Sequence, residues 1–439
     1  MARLALLLLP LVLVSCAPDN LQLTSVQVVH RHGARTALHG YTDEPVWNCD
    51  ITPLVGLTDL VQTKDTSPRI YRKKYPTDMS KNLPGNCMAG QLTSLGAAMH
   101  EQMGSFFRRR YVDTLKFLPP QLDPAQMWFR SSDAPRTLAS IDANMRGFYP
   151  ISSTPVRPIL DVEVREWDFD DIPAPDVYST SVPNCPALMG VITKMRQNQD
   201  FIRQHQAVAD VRASIMAKMN LTDDQMGWLW VGDNFIMRKL HGLPMPTQLT
   251  AQEVATTVSM AGYEFLYPYQ NQNADQQRAW LTLTYGAMMG DIYKRMLITP
   301  SAGTPRYYAY SAHDTTIAGL ISILGDTGYP WMPVASFLVF EVWRDPATTD
   351  PWVSIIYSNS TYVPSPDMWP RPQWMVIPPC VPYVARGVPL TEANPGAARF
   401  SSQPTFCPLT VFAQYAQMWI PKDRRQVCGL TAASNDWRR

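Results

Sequence analysis

Three segments of the 439-residue chain share one local pattern: a short strand, a loop with charged residues, and the start of a helix. They cover Val26–Thr36, Met127–Thr137 and Tyr307–Ile317. The strand part of each segment is rich in valine or aromatic residues, which are typical of buried strands. In an open α/β sheet, such loops gather at the carboxyl ends of the strands, where ligands bind. The pattern therefore predicts an α/β fold in which a mainly parallel sheet brings three distant loops to one site.

The remaining elements are predicted around these three segments. Apolar residues at helical spacing predict helices over Thr93–Leu115, Ala134–Phe148, Asp200–Met219, Asp223–Leu240, Ala251–Phe265, Ala274–Leu297 and Thr315–Leu324. Further strands are expected near Phe337–Trp343 and Val353–Tyr357. We therefore expect an α/β domain formed by residues 18–154 and 286–439, with a smaller helical domain inserted over residues 155–285.

The first residues of the chain resemble an export signal. One arginine precedes the apolar run Leu4–Val14, which is too short to span a membrane, and small residues follow. Ser15-Cys16-Ala17 suits cleavage after Ala17, which would make residues 1–17 a signal peptide. The same residues equally resemble a bacterial lipoprotein signal in which Cys16 is acylated. We expect a secreted or lysosome-like luminal protein, or alternatively a periplasmic protein or lipoprotein.

The cysteine count agrees with export. Seven cysteines are present, and setting Cys16 aside leaves an even number, which favours disulfides in an exported chain. Six cysteines can pair in many ways, so their number does not select a pairing. Asn220-Leu221-Thr222 and Asn359-Ser360-Thr361 are compatible with N-glycosylation, although chance often produces such triplets.

The three predicted loops would concentrate positive charge at one place. Their charged or titratable residues are Arg31, His32, Arg35, Arg130, His313 and Asp314. The whole chain has a formal charge of only +1, which excludes a protein-wide field for nucleic acid or an anionic membrane. A local arginine cluster instead needs a compensating anion, and the planar guanidinium suits phosphate oxygens. A small phosphate compound is therefore the expected ligand.

These loops resemble a known family. Arg31-His32-Gly33-x-Arg35 is the signature loop of the histidine phosphatase superfamily, and Tyr310–Thr316, with His313-Asp314, resembles its acid phosphatase branch. Phe129–Asp133 is similar to animal-type prostatic and lysosomal acid phosphatases, and the opening strand most resembles the lysophosphatidic acid phosphatase subgroup. The family commonly has proline two residues after the second arginine of this motif, where the chain has Ala37 after Thr36, so the pose of this loop can differ.

The resemblance implies a fold and a mechanism. The fold would be a phosphoglycerate-mutase-like three-layer sandwich whose helical insertion covers the site. His32 would form a phosphohistidine intermediate, and Asp314 would protonate the leaving alkoxide, which predicts an acidic pH optimum. The expected ligands of the phosphoryl oxygens are Arg31, Arg35, Arg130 and His313. No metal or cofactor is implied. The implied disulfides are Cys185–Cys428, Cys380–Cys407 and, by remainder, Cys49–Cys87.

Several alternatives remain open at this point. A catalytically silent anion-binding surface protein could keep the fold, although every reacting side chain is present. A phosphomutase is disfavoured by Asp314. A lipid-directed lysophosphatidate phosphatase, an aryl phosphatase and a sugar phosphatase all remain compatible, whereas the balanced charge disfavours phytate. Relatives form dimers, but the sequence does not indicate an interface.

Overall fold

The computed structural model describes residues 20–41, 43–49, 82–150, 160–166, 170–173, 175–301, 303–359, 372–385, 388–392 and 398–430. The predicted signal segment with Cys16 lies outside the described residues, as do Ser360 and Thr361 of the second sequon. Asn220 of the first sequon is exposed. No helix in the described part of the chain is long and apolar enough to cross a membrane.

The regular elements alternate along the chain. The strands are β1 (Gln22–Arg31), β2 (Asn82–Leu83), β3 (Cys87–Met88), β4 (Met127–Ser131), β5 (Val162–Glu163), β6 (Tyr307–Ala312), β7 (Phe337–Arg344), β8 (Pro351–Ser358), β9 (Gln373–Val376), β10 (Thr391–Glu392), β11 (Arg399–Ser401) and β12 (Cys407–Pro408). The helices are α1 (Ser94–Phe107), α2 (Pro135–Phe148), α3 (Ala187–Arg196), α4 (Gln199–Gln206), α5 (Ala209–Met219), α6 (Trp228–Leu240), α7 (Ala251–Gln270), α8 (Ala274–Met296), α9 (Asp314–Ile323), α10 (Leu409–Gln417) and α11 (Arg424–Val427).

One large sheet organises these elements. Its strand order is β10-β11-β9-β8-β7-β1-β6-β4-β5, and β12 pairs with β8. β1, β6, β4 and β5 are parallel, because the chain between them crosses over through other elements. β7, β8 and the strands beyond them are antiparallel, and the turn between β7 and β8 is short. The predicted α/β fold is confirmed, and its parallel part contains the three predicted strand–loop–helix segments.

Side chains on the two faces of this sheet enter different cores. Because side chains alternate along a strand, Val28 packs in a cluster with Met103 of α1, whereas Val29 packs in a cluster with Ile317 of α9. α1 and α2 cover the first face, and α8, α9 and α10 cover the second. The result is the expected three-layer sandwich.

α5, α6 and α7 share a small core of their own. Ile215, Trp228, Phe235 and Met260 belong to this cluster of buried residues. The helix predicted over Asp200–Met219 is divided at Ala207–Val208 into α4 and α5. The next predicted helix begins later than expected, at Trp228, because residues 222–225 form a turn instead.

Three disulfides are present, and they are the pairs that the resemblance implied. They join Cys49 to Cys87, Cys185 to Cys428 and Cys380 to Cys407. The second pair joins Cys428, which follows α11 near the end of the described chain, to Cys185, two residues before α3.

Candidate active site

A cavity of about 460 Å³ opens at the carboxyl ends of the parallel strands. Loops after β1 and β6 and the first turn of α2 contribute its charged floor. These residues are His32, Arg35, Arg136, His313 and Asp314. α6, α7, Pro173 and residues 175–177 contribute most of the remaining wall. The sheet therefore assembles one site from chain segments that are far apart in sequence, as the three-segment pattern predicted.

The loop after β1 is held by close backbone contacts with α1. A Cβ atom added to Gly33 would lie 2.3 Å from the carbonyl oxygen of Gly96, so neither residue can easily be larger. The Thr93 hydroxyl donates to the carbonyl oxygen of Ala34 at 3.1 Å and also caps α1. These contacts fix the backbone from which His32 and Arg35 project.

His32 has the protonation state of a nucleophile. Its Nδ1 lies 2.8 Å from the carbonyl oxygen of Gly33, and because a carbonyl only accepts, Nδ1 carries the proton. Nε2 is therefore left with a lone pair. Burial lowers the pKa of His32 well below its usual value, and the surrounding arginines, first of all Arg136, lower it further. The imidazole is neutral even in mildly acidic solution.

His313 lies beside this ring, with the two ring centroids 5.7 Å apart. Arg136 donates from Nη2 to Nδ1 of His313 at 3.3 Å, and the opposite nitrogen, Nε2, lies 2.7 Å from the hydroxyl oxygen of Ser132. Because a guanidinium only donates, Nε2 carries the proton and donates it to Ser132. His313 is thus a neutral, oriented ring, and burial holds its pKa low.

Asp314 is the first residue of α9 and accepts from three donors. Arg31 Nη2 and Trp331 Nε1 each lie 2.8 Å from Oδ2, and the Thr315 amide donates to Oδ1 at 2.9 Å. Burial alone would raise the pKa of Asp314, but Arg31 and the Trp331 hydrogen bond outweigh burial and lower it. Arg31 does not line the cavity itself and acts on it through Asp314.

Arg35 is oriented by a carboxylate from α6. Its two terminal nitrogens donate to the two oxygens of Asp233 at 2.9 and 2.7 Å. The Nε–H groups of Arg35 and Arg136 are buried and have no hydrogen-bond partner among the described residues. Burial and the neighbouring Arg35 lower the pKa of Arg136 to about 9, so its charge is poorly compensated. Together with the N-terminus of α9, these groups form a site that favours an anion.

Arg130 is not part of this cavity, which corrects the prediction from the sequence. It lies within β4, on the same strand face as Trp128, and donates from Nη2 to Asp170 at 2.8 Å and also to Asp171. Its guanidinium is fully buried in these ion pairs. A strand residue faces the sheet surface, whereas the residues after the strand face the cavity, and Arg136 is the arginine that reaches it.

Sequence analysis did not identify three residues of the site, namely Arg136, Asp233 and Trp331. Arg136 follows the loop after β4 in the first turn of α2, and this placement was the one available signal. Asp233 and Trp331 lie on elements whose position relative to the loops depends on the tertiary fold. Nothing in their local sequence distinguishes them from ordinary helix and loop residues.

The chain is similar to several known proteins. Counting factor 60 of Dictyostelium discoideum is 27% identical over 341 residues, which cover 74% of this chain and 78% of that protein. Lysosomal acid phosphatase of Homo sapiens is 25% identical over 393 residues, covering 87% and 81% respectively. The solved structure of Hafnia alvei phytase in complex with tartrate has the same fold, with a TM-score of 0.55, 16% identity, and coverage of 94% of this chain and 99% of that chain. The model of the histidine phosphatase superfamily, branch 2, matches residues 22–358, more than half of the chain, and the chain therefore belongs to this family.

Proposed function

We propose that the protein is an exported acid phosphatase that hydrolyses small phosphate monoesters without a metal ion. One observation carries this proposal: a neutral His32 with Nε2 unprotonated, in a cavity whose floor contains Arg35, Arg136 and Asp314. The family to which the chain belongs and its similarity to lysosomal acid phosphatase support the same activity.

In the first step, the phosphate of the substrate occupies the cationic floor of the cavity. Arg35 and Arg136 donate to its oxygens, and the charge of these two arginines takes the part that a metal ion plays in other phosphatases. His313 donates to the phosphate as a neutral ring, when its Nε2–H turns from the Ser132 hydroxyl to a phosphate oxygen. Nε2 of His32 attacks phosphorus, and the bond between phosphorus and the ester oxygen breaks. The proton on Asp314 moves to that oxygen, so the product leaves as a neutral alcohol.

The proton on Asp314 arrives with the substrate. A phosphate monoester is mostly a monoanion below pH ~6, so it brings an acidic proton to a carboxylate that is ionised in the free protein. The bound phosphate also adds negative charge, which raises the pKa of Asp314 in the complex. In the second step, water attacks phosphohistidine, Asp314 accepts the proton of this water, and inorganic phosphate leaves.

The helical insertion and the cellular location belong to the same proposal. Residues 155–285 form a cover on the α/β domain, which is supported by the contributions of α6 and α7 to the cavity wall. The disulfides and the apolar first residues of the chain support passage through the secretory pathway to the outside or to a lysosome-like lumen.

The proposal is tested by hydrolysis of 4-nitrophenyl phosphate at about pH 5 with excess chelator, using the wild-type protein and His32→Ala. We expect the wild-type rate to survive the chelator and the variant to lose at least about 10³-fold in kcat, because no other nucleophile can form the intermediate. Acid quenching should trap phosphohistidine in the wild type. A rate abolished by the chelator would contradict metal independence, and no hydrolysis by the wild type would favour a silent anion-binding protein.

A second test distinguishes the role of Arg136 from that of Arg130. Arg136→Ala should lower kcat/KM by about 10²–10³-fold with little change in the unfolding midpoint, because it removes a ligand of the transferred phosphoryl group. Arg130→Ala should mainly destabilise the fold, by about 3–5 kcal/mol, because it leaves Asp170 and Asp171 buried without their cation. The reverse assignment would restore Arg130 as the phosphate ligand.

A further inference from the structure

The wall of the cavity beyond its charged floor is mostly apolar. Contributions come from Leu229 and Trp230 of α6, Phe265 of α7 and Trp331, together with Pro173 and Pro175. Phe265 and Trp331 are stacked, with ring centroids 4.7 Å apart and planes within 11°. The part of a substrate that leaves as the alcohol would contact these rings, so apolar area on the alcohol would be buried on binding.

Among the described residues, the exposed His39 is the one basic side chain of this wall. Apart from Arg35 and Arg136 on the floor, none of the described residues that line the cavity is a lysine or arginine. The carboxyl groups of the wall are Asp233, which is paired with Arg35, and Asp176 and Glu264, which are not paired with a floor arginine. Glu264 accepts from the amide of Leu229 at 2.9 Å and from the Tyr178 hydroxyl. Burial raises its pKa to about 8, so Glu264 is a neutral acid in mildly acidic solution.

We propose that this cavity selects monoesters of uncharged, apolar alcohols that carry a single phosphate, and that Trp230 and Asp176 are its specificity-determining residues. The inference rests on the proposed function and adds its substrate class. A second phosphate on the alcohol would be removed from water against an apolar wall that offers it no lysine or arginine and has Asp176 nearby. Polyphosphorylated alcohols are therefore poor substrates.

The test compares three alkyl esters, because their alcohols leave with similar chemical difficulty: hexyl phosphate, glycerol 3-phosphate and inositol hexakisphosphate. We expect kcat/KM at about pH 5 to be at least about tenfold higher for hexyl phosphate than for glycerol 3-phosphate, and lowest for the hexakisphosphate. Trp230→Ala should lower the value for hexyl phosphate about tenfold and change that for glycerol 3-phosphate less than about twofold.

A change of charge at Asp176 tests the second claim of the proposal, that alcohols with further phosphates are poor substrates. Asp176→Lys should raise the ratio of kcat/KM for inositol hexakisphosphate to kcat/KM for hexyl phosphate about tenfold. Asp210→Lys makes the same change of charge on the exposed side of α5, outside the lining, and should alter neither value. Because Asp176 accepts from the Tyr178 amide, Asp176→Asn, which keeps an acceptor there, shows the same direction if the lysine variant fails to fold.

The outcomes separate this inference from the proposed function. A wild-type protein that hydrolyses 4-nitrophenyl phosphate but prefers the hexakisphosphate, or shows no preference among the three esters, overturns the inference alone. An Asp176→Lys effect matched by Asp210→Lys also overturns it, because the change would then reflect overall charge. A wild-type protein that hydrolyses none of the four compounds overturns both proposals.

Discussion

The carboxyl group of Asp314 illustrates how single contacts set the chemistry of this site. A general acid must be protonated when the alcohol leaves, yet Arg31, Trp331 and the Thr315 amide all favour the charged form. Arg31 is also tied to the backbone, through the carbonyl of Met332. Asp314 is therefore held in one position, and its pKa is set by neighbours that can be removed one at a time.

Trp331→Phe removes one hydrogen bond to Asp314 and so tests how its neighbours set the pKa of this carboxyl group. The Trp331 hydrogen bond stabilises the carboxylate and so lowers the pKa of Asp314. Its loss should raise this pKa, because the carboxylate then loses a hydrogen bond that stabilises its charged form. The alkaline limb of the kcat profile, which reports loss of the proton from Asp314, should then move to higher pH.

Trp230→Phe is the matched control for this pH profile, because Trp230 lines the same cavity without a hydrogen bond to Asp314. Its alkaline limb should stay in place. An alkaline limb that moves to lower pH in Trp331→Phe, or moves equally in both variants, would contradict the assignment. The other charged or titratable groups that face Asp314, namely Arg31, Arg35, Arg136 and His313, are unchanged in both variants.

The sequence allows site residues to be identified where they are neighbours along the chain. Arg31, His32 and Arg35 lie in one loop, and His313 and Asp314 are adjacent, so the structure brings to one place residues that could be recognised together. Arg130 and Arg136 were confused because both are near the same loop, and only strand alternation and the ion pairs of β4 distinguish them. Their catalytic roles stay proposals.

At the scale of elements, α1 and α2, which cover the first face of the sheet, pack very closely against each other. A Cβ atom added to Gly104 of α1 would lie 1.8 Å from the carbonyl oxygen of Asn144, and one added to Gly147 would lie 1.8 Å from that of Glu101. The two backbones therefore approach each other at residues that lack side chains. Because α1 also supports the His32 loop and α2 contains Arg136, this contact determines the distance between the two loops.

Gly104→Ala should therefore destabilise the protein, by about 1–3 kcal/mol or more in the free energy of unfolding, because the helices must separate. Gly262→Ala is the control, since Gly262 lies within α7 and a Cβ there would meet no atom within 4 Å. That variant should gain about 0.5–1 kcal/mol through lower backbone entropy of the unfolded chain. Denaturant unfolding measures both, and equal effects would contradict the close approach.

Most elements were predictable from apolar spacing, because their periodicity is local. The predicted helix over Thr93–Leu115 matches α1 and the π-helical turn Arg108–Thr114 that follows it. The predicted strands near Phe337–Trp343 and Val353–Tyr357 correspond to β7 and β8. The short strands β9 to β12 were not predicted, because they are two to four residues long in proline-rich sequence and exist only through pairing with distant partners.

At the scale of the whole molecule, disulfides restrict the chain over very different lengths. Cys185 and Cys428 are 243 residues apart, whereas Cys380 and Cys407 are 27 residues apart. A longer closed loop removes more entropy from the unfolded chain. Replacing Cys185 and Cys428 by serine should therefore cost about 2 kcal/mol more stability than replacing the other pair. Comparing the denaturant unfolding of the two double variants tests this, and a larger loss for the short loop would contradict it.

The position of β1 has a consequence for how the molecule is completed. β1 is the first strand of the described chain, yet it lies in the middle of the sheet, where Val26 pairs with Tyr307 on one side and with Glu341 on the other. Both neighbours are synthesised long after β1, so a growing chain must keep an apolar strand unpaired on both edges until most of the protein has been made. Truncated forms that end before β6 should aggregate rather than fold, and the His32 loop becomes a binding site only when the last third of the chain is in place.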